Sequence, residues 1–431
     1  MEHRGSAHLR SRTKIFRAVV AKEESLEVDL LSLQVLWHLA RKRFIASDYV
    51  SPAAEFAAIY RGAGADICME VTDRCTKCAV LGGSVINVGV LGYGYWGPNL
   101  VRNIFEVAET QLVAVSDMRR DRLEQVKLRY PSVEVSTDFR DLLNNPKIDA
   151  IAIATPVHTH YDLAMQALQH GKHVMVEKPM ASSSEEAIRL IDEADRRNLT
   201  LMVDHTFVYT GAVRKIKAIA ESKMLGDILY YDSTRINLGL FQRDVDVIWD
   251  LAVHDLAIMD NILPSAPCAV AATGINHLFG GTENLAYITM FFEENLIAHV
   301  NVNWLSPVKV RRTLLGGSKQ MIVYDDMEPS EKVKIYDKGI TVNQSSDSLY
   351  KALVGYRSGD MFAPQLDVSE ALKVEIQHFA ECIQTGAEPI TGGQAGLRVV
   401  RILESASLSM KQRGKLVHLA PEGHALSCGA A

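Results

Sequence analysis

The sequence predicts an α/β protein: a doubly wound parallel sheet, followed by a second α/β domain with a large open, mainly antiparallel sheet. Three observations predict this class. From residue 85 to about residue 206, apolar runs of strand length alternate with helical patterns through short links. A glycine-rich turn joins the first of these strands to the first helix. Beyond residue 207, strand follows strand with turn signals between them. Repeated βα units form a parallel sheet, whereas consecutive strands favour antiparallel hairpins.

The composition is that of a globular protein with more than one domain. The chain has 431 residues, of which 48% are hydrophobic and 23% are charged. Its formal net charge of −6 argues against nucleic acid as a partner, because such proteins carry a basic face. No apolar run reaches the roughly eighteen residues of a membrane span. Six cysteines in a chain of this length do not form a disulfide scaffold. We therefore expect a cytoplasmic protein that binds neither nucleic acid nor membrane.

The pattern along the chain divides it into four segments. They are an extension of unknown role at 1–84, a dinucleotide-binding domain at 85–206, a substrate and assembly domain at 207–419, and a tail at 420–431. Within the extension, Cys68, Cys75 and Cys78 have no fourth ligand at the spacing that zinc sites use. We interpret them as free thiols and expect no metal.

The first strand runs directly into a dinucleotide-binding fingerprint. In the stretch GYGYWG, Gly92, Gly94 and Gly97 form the pattern G-x-G-x-x-G between a strand and a helix. Such glycines permit a tight turn, close approach of the backbone to a pyrophosphate and close packing of helix on strand. The helix N-terminus adds backbone donors and the positive end of its dipole. We expect the whole loop, including Tyr95 and Trp96, to bind the cofactor.

The second strand ends in an acidic residue that predicts which dinucleotide binds. Residues 111–116 form an apolar run, and Asp117 follows them, twenty positions after Gly97. A carboxylate there accepts hydrogen bonds from the ribose hydroxyls of NAD and repels the 2′-phosphate of NADP. Arg119 and Arg120 stand close by and leave NADP open. We predict NAD, with NADP as the alternative.

Polar residues also follow the fourth and fifth strands. The fourth strand ends at Thr155 and Pro156, and the fifth at Glu177 and Lys178, directly before Pro179. Proline cannot donate to a sheet, and it biases the preceding residue towards an extended conformation. Lys178 is therefore expected at the carboxyl end of a buried strand, the edge where open α/β sheets bind ligands.

The remaining elements are predicted from hydrophobic period and capping residues. In the first domain they are strands at 133–135, 150–154, 173–176 and 201–203 and helices at about 160–170 and 182–198, the latter opening with a capping box from Ser182 to Glu185. In the second domain they are helices at 207–222, 247–263, 367–386 and 393–413 and strands at 228–237, 268–276, 286–292, 297–304, 308–316 and 320–324.

The helix predicted at 247–263 carries a carboxylate and an imidazole. Asp250 and His254 are four residues apart, so they would share one face of a regular helix. A carboxylate beside an imidazole orients it and favours its charged form, as a general base requires. Apolar neighbours such as Leu251 and Val253 indicate that the pair lines an enclosed surface.

Taken in chain order, these motifs resemble those of the glucose–fructose oxidoreductase/inositol dehydrogenase (Gfo/Idh/MocA) family. The motifs are Gly92-x-Gly94-x-x-Gly97, Thr155-Pro156 with His160, Glu177-Lys178-Pro179 and Asp250-x-x-x-His254. The resemblance runs from about Val85 to Leu419. It implies an NAD(P)-dependent oxidoreductase of sugars or polyols, built from a Rossmann domain and a domain with one open sheet, that associates as a homodimer or homotetramer.

The same resemblance assigns roles to these residues. It implies that Thr155, Pro156, His160, Glu177 and Lys178 border the cofactor, and that the bond between Lys178 and the following proline is often cis.

Lys178, Asp250 and His254 are the implied catalytic set. In one assignment, His254, held by Asp250, takes the hydroxyl proton while Lys178 stabilises the developing alkoxide. In the other, a neighbouring positive nicotinamide favours the neutral form of Lys178, which then acts as the base. The sequence leaves both open.

A narrower resemblance concerns the substrate. The stretch LFQRDVDVIWDLAVHDL is similar to the branch of the family that oxidises C3 of UDP-linked N-acetylglucosamine or its uronate. Guanidinium groups can neutralise a pyrophosphate, and the candidates are Arg235, Arg243, Arg311 and Arg312. The predicted substrate residues are Arg235, Arg243 and Trp249. Free sugars and inositol are the alternative substrates, and a non-catalytic dinucleotide-binding sugar sensor is a further alternative. The segment DHTFVYTG, residues 204–211, stands where many relatives place an asparagine and an arginine.

Overall fold

The computed structural model describes residues 85–239, 245–277, 281–293, 295–342 and 354–419. They belong to one compact unit that begins at Gly83. The predictions for residues 1–84 with their three cysteines, for Arg243 and for the tail lie outside the described residues.

The first sheet is parallel, with six strands in the order β3-β2-β1-β4-β5-β6. Its strands are β1 (Ile86–Leu91), β2 (Thr110–Ser116), β3 (Glu134–Ser136), β4 (Ala150–Ile153), β5 (His173–Glu177) and β6 (Leu201–Asp204). The connecting helices are α1 (Gly97–Glu106), α2 (Arg120–Arg129), α3 (Arg140–Leu143), α4 (His160–Gln169) and α5 (Ser184–Arg197), with a 3₁₀ turn, Val157–Thr159, before α4. The strand order reverses between β1 and β4, the switch point where such sheets bind ligands at their carboxyl edge.

The strands of this sheet are apolar on both faces because helices cover both. In β4 and β5, Ile151, Ile153, Val174 and Val176 are all fully buried. The predicted capping box of α5 lies one residue further along the chain. Ser183 is the N-cap, and its hydroxyl accepts the Glu186 N–H at 3.2 Å.

The second sheet has nine strands in the order β16-β13-β12-β11-β7-β10-β9-β8-β17. The elements are α6 (Gly211–Glu221), β7 (Ile228–Leu238), α7 (Val253–Ile262), β8 (Ala269–Ile275), β9 (Leu285–Phe291), β10 (Ile297–Asn303), β11 (Leu305–Gly317), β12 (Met321–Asp325), β13 (Val333–Tyr336), β14 (Gly339–Val342), β15 (Val354–Arg357), β16 (Met361–Phe362), α8 (Ala371–Thr385), α9 (Gly393–Lys411) and β17 (Val417–His418). β7 and β10 pair in parallel, and the neighbouring strands pair antiparallel. β14 and β15 form a separate hairpin. The predicted class, a parallel sheet followed by a mainly antiparallel one, is confirmed.

Two predicted helices begin differently in the structure. The helix predicted at 207–222 is a 3₁₀ turn, Thr206–Tyr209, followed by α6. Thr210 separates them because its hydroxyl caps α6 by accepting the Val213 N–H at 3.3 Å. The helix predicted at 247–263 opens with a π-helical turn, Ile248–Ala252, before α7.

The last two helices return to the first sheet. α9 packs against α5 and β6 as well as α7 and β8, and α8 packs against α1 and the turn at Thr206–Tyr209. The Val203 N–H of β6 donates to the Thr391 carbonyl at 2.8 Å, just before α9. This return brings α7 to the carboxyl edge of the first sheet. Among the described residues, no helix is both long and apolar enough to cross a membrane.

Candidate active site

The glycine loop, residues 92–97, joins β1 to α1 at the carboxyl edge of the first sheet. Gly92 has φ +96°, and its N–H donates to the Ser116 carbonyl at 2.8 Å. A Cβ at Gly92 would collide with the Ala154 carbonyl oxygen, and a Cβ at Gly97 with the carbonyl of Gly92. A Cβ at Gly94, in contrast, would meet no described atom within 4 Å. Two glycines are therefore needed by the loop itself, and Gly94 leaves space above it for a ligand.

The N-terminus of α1 adjoins this loop, and no side chain caps it. The N-cap residue, Trp96, makes no side-chain capping bond, and proline follows in the first turn. Instead, the Trp96 indole N–H donates to Asp204 Oδ2 at 2.7 Å, which ties the helix start to the end of β6. Tyr95 is 88% exposed beside it. Free N–H groups at a helix start bind anions such as a pyrophosphate, so the loop fits a dinucleotide.

Asp117 lies at the end of β2, where the sequence predicted the ribose acceptor. Its Oδ2 accepts the Tyr93 N–H at 2.7 Å, and its Oδ1 accepts the Arg119 N–H at 2.9 Å. The carboxylate thus fixes the glycine loop to β2 while its side chain stays 12% exposed. Arg119 is 54% exposed, with its Nε 4.0 Å from Asp117 Oδ1. Contact of Asp117 with the ribose remains a prediction.

The loops after β4 and β5 are joined through one histidine. His160 is 1% exposed, and its Nδ1 and Nε2 each lie 2.9 Å from a carbonyl oxygen, of Pro179 and Thr155 respectively. The Lys178–Pro179 peptide bond is cis, as the resemblance implied. Burial lowers the pKa of His160, so the ring is neutral and donates through one nitrogen only. His160 supports both loops from behind, and direct contact with a cofactor remains a prediction.

Lys178 is the centre of a group that we call the lysine cluster, formed with Asp250 and Trp304. The Lys178 ammonium donates to the Asp250 carbonyl at 3.0 Å and lies 3.6 Å from Asp250 Oδ1. Asp250 Oδ2 accepts the Trp304 indole N–H at 3.0 Å. The Lys178 and Asp250 side chains are 19% and 23% exposed, so their charges attract each other with little screening by solvent. The cluster holds a cation at the end of β5.

His254 lies beside this cluster but does not pair with Asp250 as predicted. Asp250 lies in the π-helical turn Ile248–Ala252, and His254 lies in the first turn of α7. No hydrogen bond or ion pair joins them within the described part of the chain. His254 Nδ1 is buried without a partner there, and the ring packs edge-on against Phe207, with 4.9 Å between centroids.

The electrostatic environment of His254 favours the neutral imidazole. Burial is the largest cause, and the positive charge of Lys178 is the next, and together they lower the pKa of His254 well below its usual value. A neutral imidazole beside a fixed ammonium can accept a proton. The geometry therefore joins a proton acceptor and a cation at one edge of the sheet.

Three carboxyl groups lie beneath Lys178, and we call Glu177, Asp204 and Glu375 the carboxyl cluster. Glu177 and Asp204 are register partners in β5 and β6, and Glu375 comes from α8 with no exposed surface. Neither oxygen of Glu375 has a hydrogen-bond donor among the described residues. Burial, with the Asp204 carboxylate as the second cause, raises the pKa of both glutamates well above the usual value. Protonated glutamates can donate to Asp204, which also accepts from the Trp96 indole.

Two of the predicted substrate residues, Arg235 and Trp249, form hydrogen bonds within the protein. Arg235 is 3% exposed, and its guanidinium is bound to Asp255 inside the second sheet, 2.6 Å from Nε to Oδ2. Trp249 donates its indole N–H to Ser407 of α9 at 2.9 Å. The Arg235 Nη1 has no partner among the described residues but is buried, and direct contact with a substrate remains a prediction for both residues.

A second arginine also lies near His254. Arg311 sits 5.4 Å from the ring centroid of Phe207, on which Arg235 also stacks at 4.5 Å, and Phe207 packs on His254. The Arg311 side chain is 28% exposed, its Nη1 lies 3.4 Å from Asp326 Oδ2, and its Nε has no partner among the described residues. Arg311 is thus a partly exposed guanidinium next to the predicted reaction site.

The structure adds residues that sequence reasoning did not select. Trp304, Asp204 and Glu375 contact the site through partners more than fifty positions away in the chain. A tryptophan at a strand end and isolated acids carry no local motif. The departure noticed at residues 204–211 is the one signal that could have indicated this region, because Asp204, His205 and Phe207 all lie in it.

Two consecutive segments of the chain match models of known protein families. Residues 86–205 match an oxidoreductase family with an NAD-binding Rossmann fold, and residues 213–323 match the Gfo/Idh/MocA C-terminal domain. Together the two matches span more than half of the chain.

Curated relatives cover most of the chain at low identity. The NAD⁺-dependent scyllo-inositol 2-dehydrogenase of Bacillus subtilis is 26% identical over 326 residues, covering 73% of this chain and 88% of the relative. The UDP-N-acetylglucosamine 3-dehydrogenase of Acidithiobacillus ferrooxidans is 27% identical over 323 residues, covering 73% and 94%. A solved oxidoreductase from Magnetospirillum magnetotacticum superimposes with TM-score 0.64 at 26% identity, covering 75% of this chain and 99% of that one.

Proposed function

Because the chain belongs to the Gfo/Idh/MocA family of NAD(P)-dependent oxidoreductases that act on CH–OH groups of sugars and polyols, we propose that it oxidises or reduces C3 of a UDP-linked N-acetylhexosamine or its uronate. The observation that carries the catalytic part is the lysine cluster with His254 beside it, at the sheet edge that also holds the glycine loop. A hydride-transfer enzyme needs a cofactor, a fixed cation and a proton acceptor at one place.

The residues of the loop fit a nicotinamide dinucleotide. The open space at Gly94 and the uncapped start of α1 suit a pyrophosphate. Asp117 suits the ribose of NAD, and Arg119 leaves NADP as the alternative. When bound, the nicotinamide ring supplies the hydride acceptor or donor.

His254 and Lys178 divide the remaining work in the oxidation of a secondary alcohol. The neutral His254 imidazole takes the hydroxyl proton. The Lys178 ammonium donates to the same oxygen as negative charge develops on it. Asp250 and Trp304 hold the ammonium in place before the substrate arrives, so little reorganisation is needed during the reaction.

Two observations favour a nucleotide-linked sugar. The stretch from residue 240 to 256 is similar to that branch of the family, and Arg311 offers a partly exposed guanidinium next to Phe207 and His254. Guanidinium groups bind diphosphates in a bidentate way. Inositol is the second candidate, favoured by the similarity to scyllo-inositol 2-dehydrogenase.

We also propose that the protein is a homodimer or homotetramer assembled through its second sheet. Large apolar side chains are exposed at intervals across β7 to β11, and an open apolar sheet face favours burial against a second copy. They include Leu238, Tyr287, Phe291 and Val308. Light scattering during size-exclusion chromatography tests this assembly, and a monomer at micromolar concentration would contradict it.

A substrate screen tests the proposed activity. UDP-N-acetylglucosamine, its uronate, free hexoses and inositols are each incubated with NAD⁺ or NADP⁺, and absorbance is followed at about 340 nm. We expect turnover of a UDP-linked substrate with NAD⁺, and Arg311→Ala should raise its KM without affecting a free sugar. Preferred turnover of an inositol would replace the nucleotide-sugar proposal with the second candidate. Cofactor binding without turnover of any class would favour the non-catalytic sensor.

A further inference from the structure

His205 is a buried histidine to which the proposed reaction has so far given no role. It directly follows β6 and is 2% exposed. Both of its ring nitrogens are buried without a hydrogen-bond partner among the described residues. Leaving a buried imidazole without partners costs stability, so such a group in a well-packed region indicates a function or bound water.

The position of His205 is fixed relative to Lys178 by strand register. Glu177 and Asp204 are paired on the adjacent parallel strands β5 and β6, and Lys178 and His205 are the next residue on each. Backbones of adjacent strands lie about 4.8 Å apart, so the two side chains leave neighbouring points of one edge. α7, which carries His254, packs against the turn that begins at Thr206. His205 is therefore a neighbour of both residues that handle the substrate proton.

His205 also lines a cavity. The cavity has a volume of about 890 Å³ and lies between β6, α6, α7 and α9. Its wall includes Lys217, whose ammonium donates to Asn261 at 2.9 Å, and the Asp260–Arg398 ion pair. Polar walls of this kind hold ordered water. Ile390, which also lines the cavity, is 51% exposed, so the cavity reaches the surface of the described chain.

We infer that His205 is a proton relay between the reaction site and this cavity, an inference that rests on the proposed function. Oxidation of the alcohol breaks its C–H bond, with the hydride passing to the cofactor, and its O–H bond, with the proton passing to His254. That proton must leave while substrate and cofactor cover the site. One nitrogen of His205 accepts it as the other gives its own proton to water in the cavity.

The environment of His205 suits transfer through the neutral ring. Burial, and then the Lys178 charge, lower the pKa of His205 to about 3, so the ring does not retain the proton. The imidazole exchanges one N–H for the other and leaves no charge behind. Such a ring needs two nitrogens that are free to exchange protons, and neither ring nitrogen of His205 has a hydrogen-bond partner among the described residues.

Replacing His205 by alanine tests the relay, with Ile390→Ala as the matched control on the same cavity wall. We expect His205→Ala to lower kcat roughly ten- to a hundred-fold, with little change in the dissociation constant for NADH measured by fluorescence. The solvent deuterium isotope effect on kcat should rise, since proton transfer becomes limiting. Added imidazole, which can enter the space left by the side chain, should restore turnover in His205→Ala and do nothing in wild type or Ile390→Ala.

The outcomes separate the relay from the proposed function. An isotope effect unchanged from wild type, or a kcat loss that imidazole does not restore, would show that His205 is structural and overturn the relay alone. His205→Phe is the second variant if the alanine protein fails to fold, since it keeps a buried ring without nitrogens; unchanged kcat in that protein overturns the relay. Absence of turnover in wild type with every sugar class would overturn both proposals.

Discussion

The glycine loop and the lysine cluster meet at one edge of the first sheet, but different forces build them. The loop is held by backbone groups and by one carboxylate, all within one βαβ unit: Gly92 bonds to Ser116, and Tyr93 bonds to Asp117, 24 positions away. The lysine cluster is held by side chains that come from both sheets, since Lys178 lies 72 positions before Asp250. The comparison indicates that cofactor binding is a local property of the fold, whereas the chemistry depends on how the two sheets are packed together.

The largest effect is expected within the glycine loop. Gly92→Ala should abolish cofactor binding and destabilise the protein, because its Cβ would collide with the Ala154 carbonyl at φ +96°. Gly94→Ala is the matched variant and should leave the melting temperature unchanged while weakening NADH binding, since its Cβ points into open space. Thermal melts and fluorescence titrations check both. Equal destabilisation by the two changes would contradict the distinction between them.

The next effect concerns how the lysine cluster is held. Asp250→Asn should lower kcat by roughly ten- to a hundred-fold, because the Lys178 ammonium loses its counter-charge but keeps the Asp250 carbonyl. Trp304→Phe, which removes one donor to Asp250 Oδ2, should cost less. Steady-state kinetics at saturating NAD⁺ measure both. A larger loss from Trp304→Phe at unchanged folding would mean that the indole itself contacts the substrate.

The choice of cofactor is expected to change less. Asp117→Ser keeps an acceptor for the Tyr93 N–H but removes the charge that repels a 2′-phosphate, next to the exposed Arg119. The preference for NADH over NADPH should fall roughly tenfold in titrations of the two cofactors. Asp121→Ser, an exposed acid in the first turn of α2, is the control. A wild-type preference for NADPH would contradict the assigned role of Asp117.

The smallest effect is on stability and depends on pH. The folded-state pKa of Glu375 is raised by burial, so the folded protein binds more protons than the unfolded chain. The contribution of Glu375 to the free energy of unfolding is therefore fully present below the pKa of the unfolded state. It is lost as the pH rises from there towards the pKa of the folded state. Glutamine stays neutral at every pH, so Glu375→Gln should avoid this loss. The free energy of unfolding of the variant relative to wild type should be roughly 1–3 kcal/mol higher at pH 8 than at pH 4.

Urea denaturation at the two pH values measures this difference. Glu381→Gln on the same helix is the control, because that side chain is 72% exposed. If both variants behave alike, Glu375 is not held protonated inside the fold.

The contrast between the two regions also explains what the sequence could predict. The glycine loop, Asp117 and the position of Lys178 followed from short motifs placed on strands, and the two kinds of sheet from the period of the apolar residues. The bond between Trp304 and Asp250 could not be found in this way, because the two residues lie 54 positions apart on different elements. In place of the expected Asp250–His254 pair, the Asp250 carboxylate lies against Lys178 and accepts from the Trp304 indole, and both partners are distant in the chain.

The carboxyl cluster and His205 could not be predicted from the sequence either. Their burial arises from the return of α8 and α9 to the first sheet, so no local stretch of sequence indicates that Glu375 or His205 lacks contact with water.

The most direct test of the division between binding and chemistry is Lys178→Ala, studied for NADH affinity and turnover in one preparation. The account predicts a dissociation constant close to that of wild type, because pyrophosphate binding rests on the glycine loop and α1. It predicts a loss of turnover of ~10²–10⁴-fold, as expected for removal of a preorganised cation. If the variant turned over a sugar as fast as wild type, Lys178 would be no more than a charged residue at the end of a strand, and the assignment of the site would be wrong.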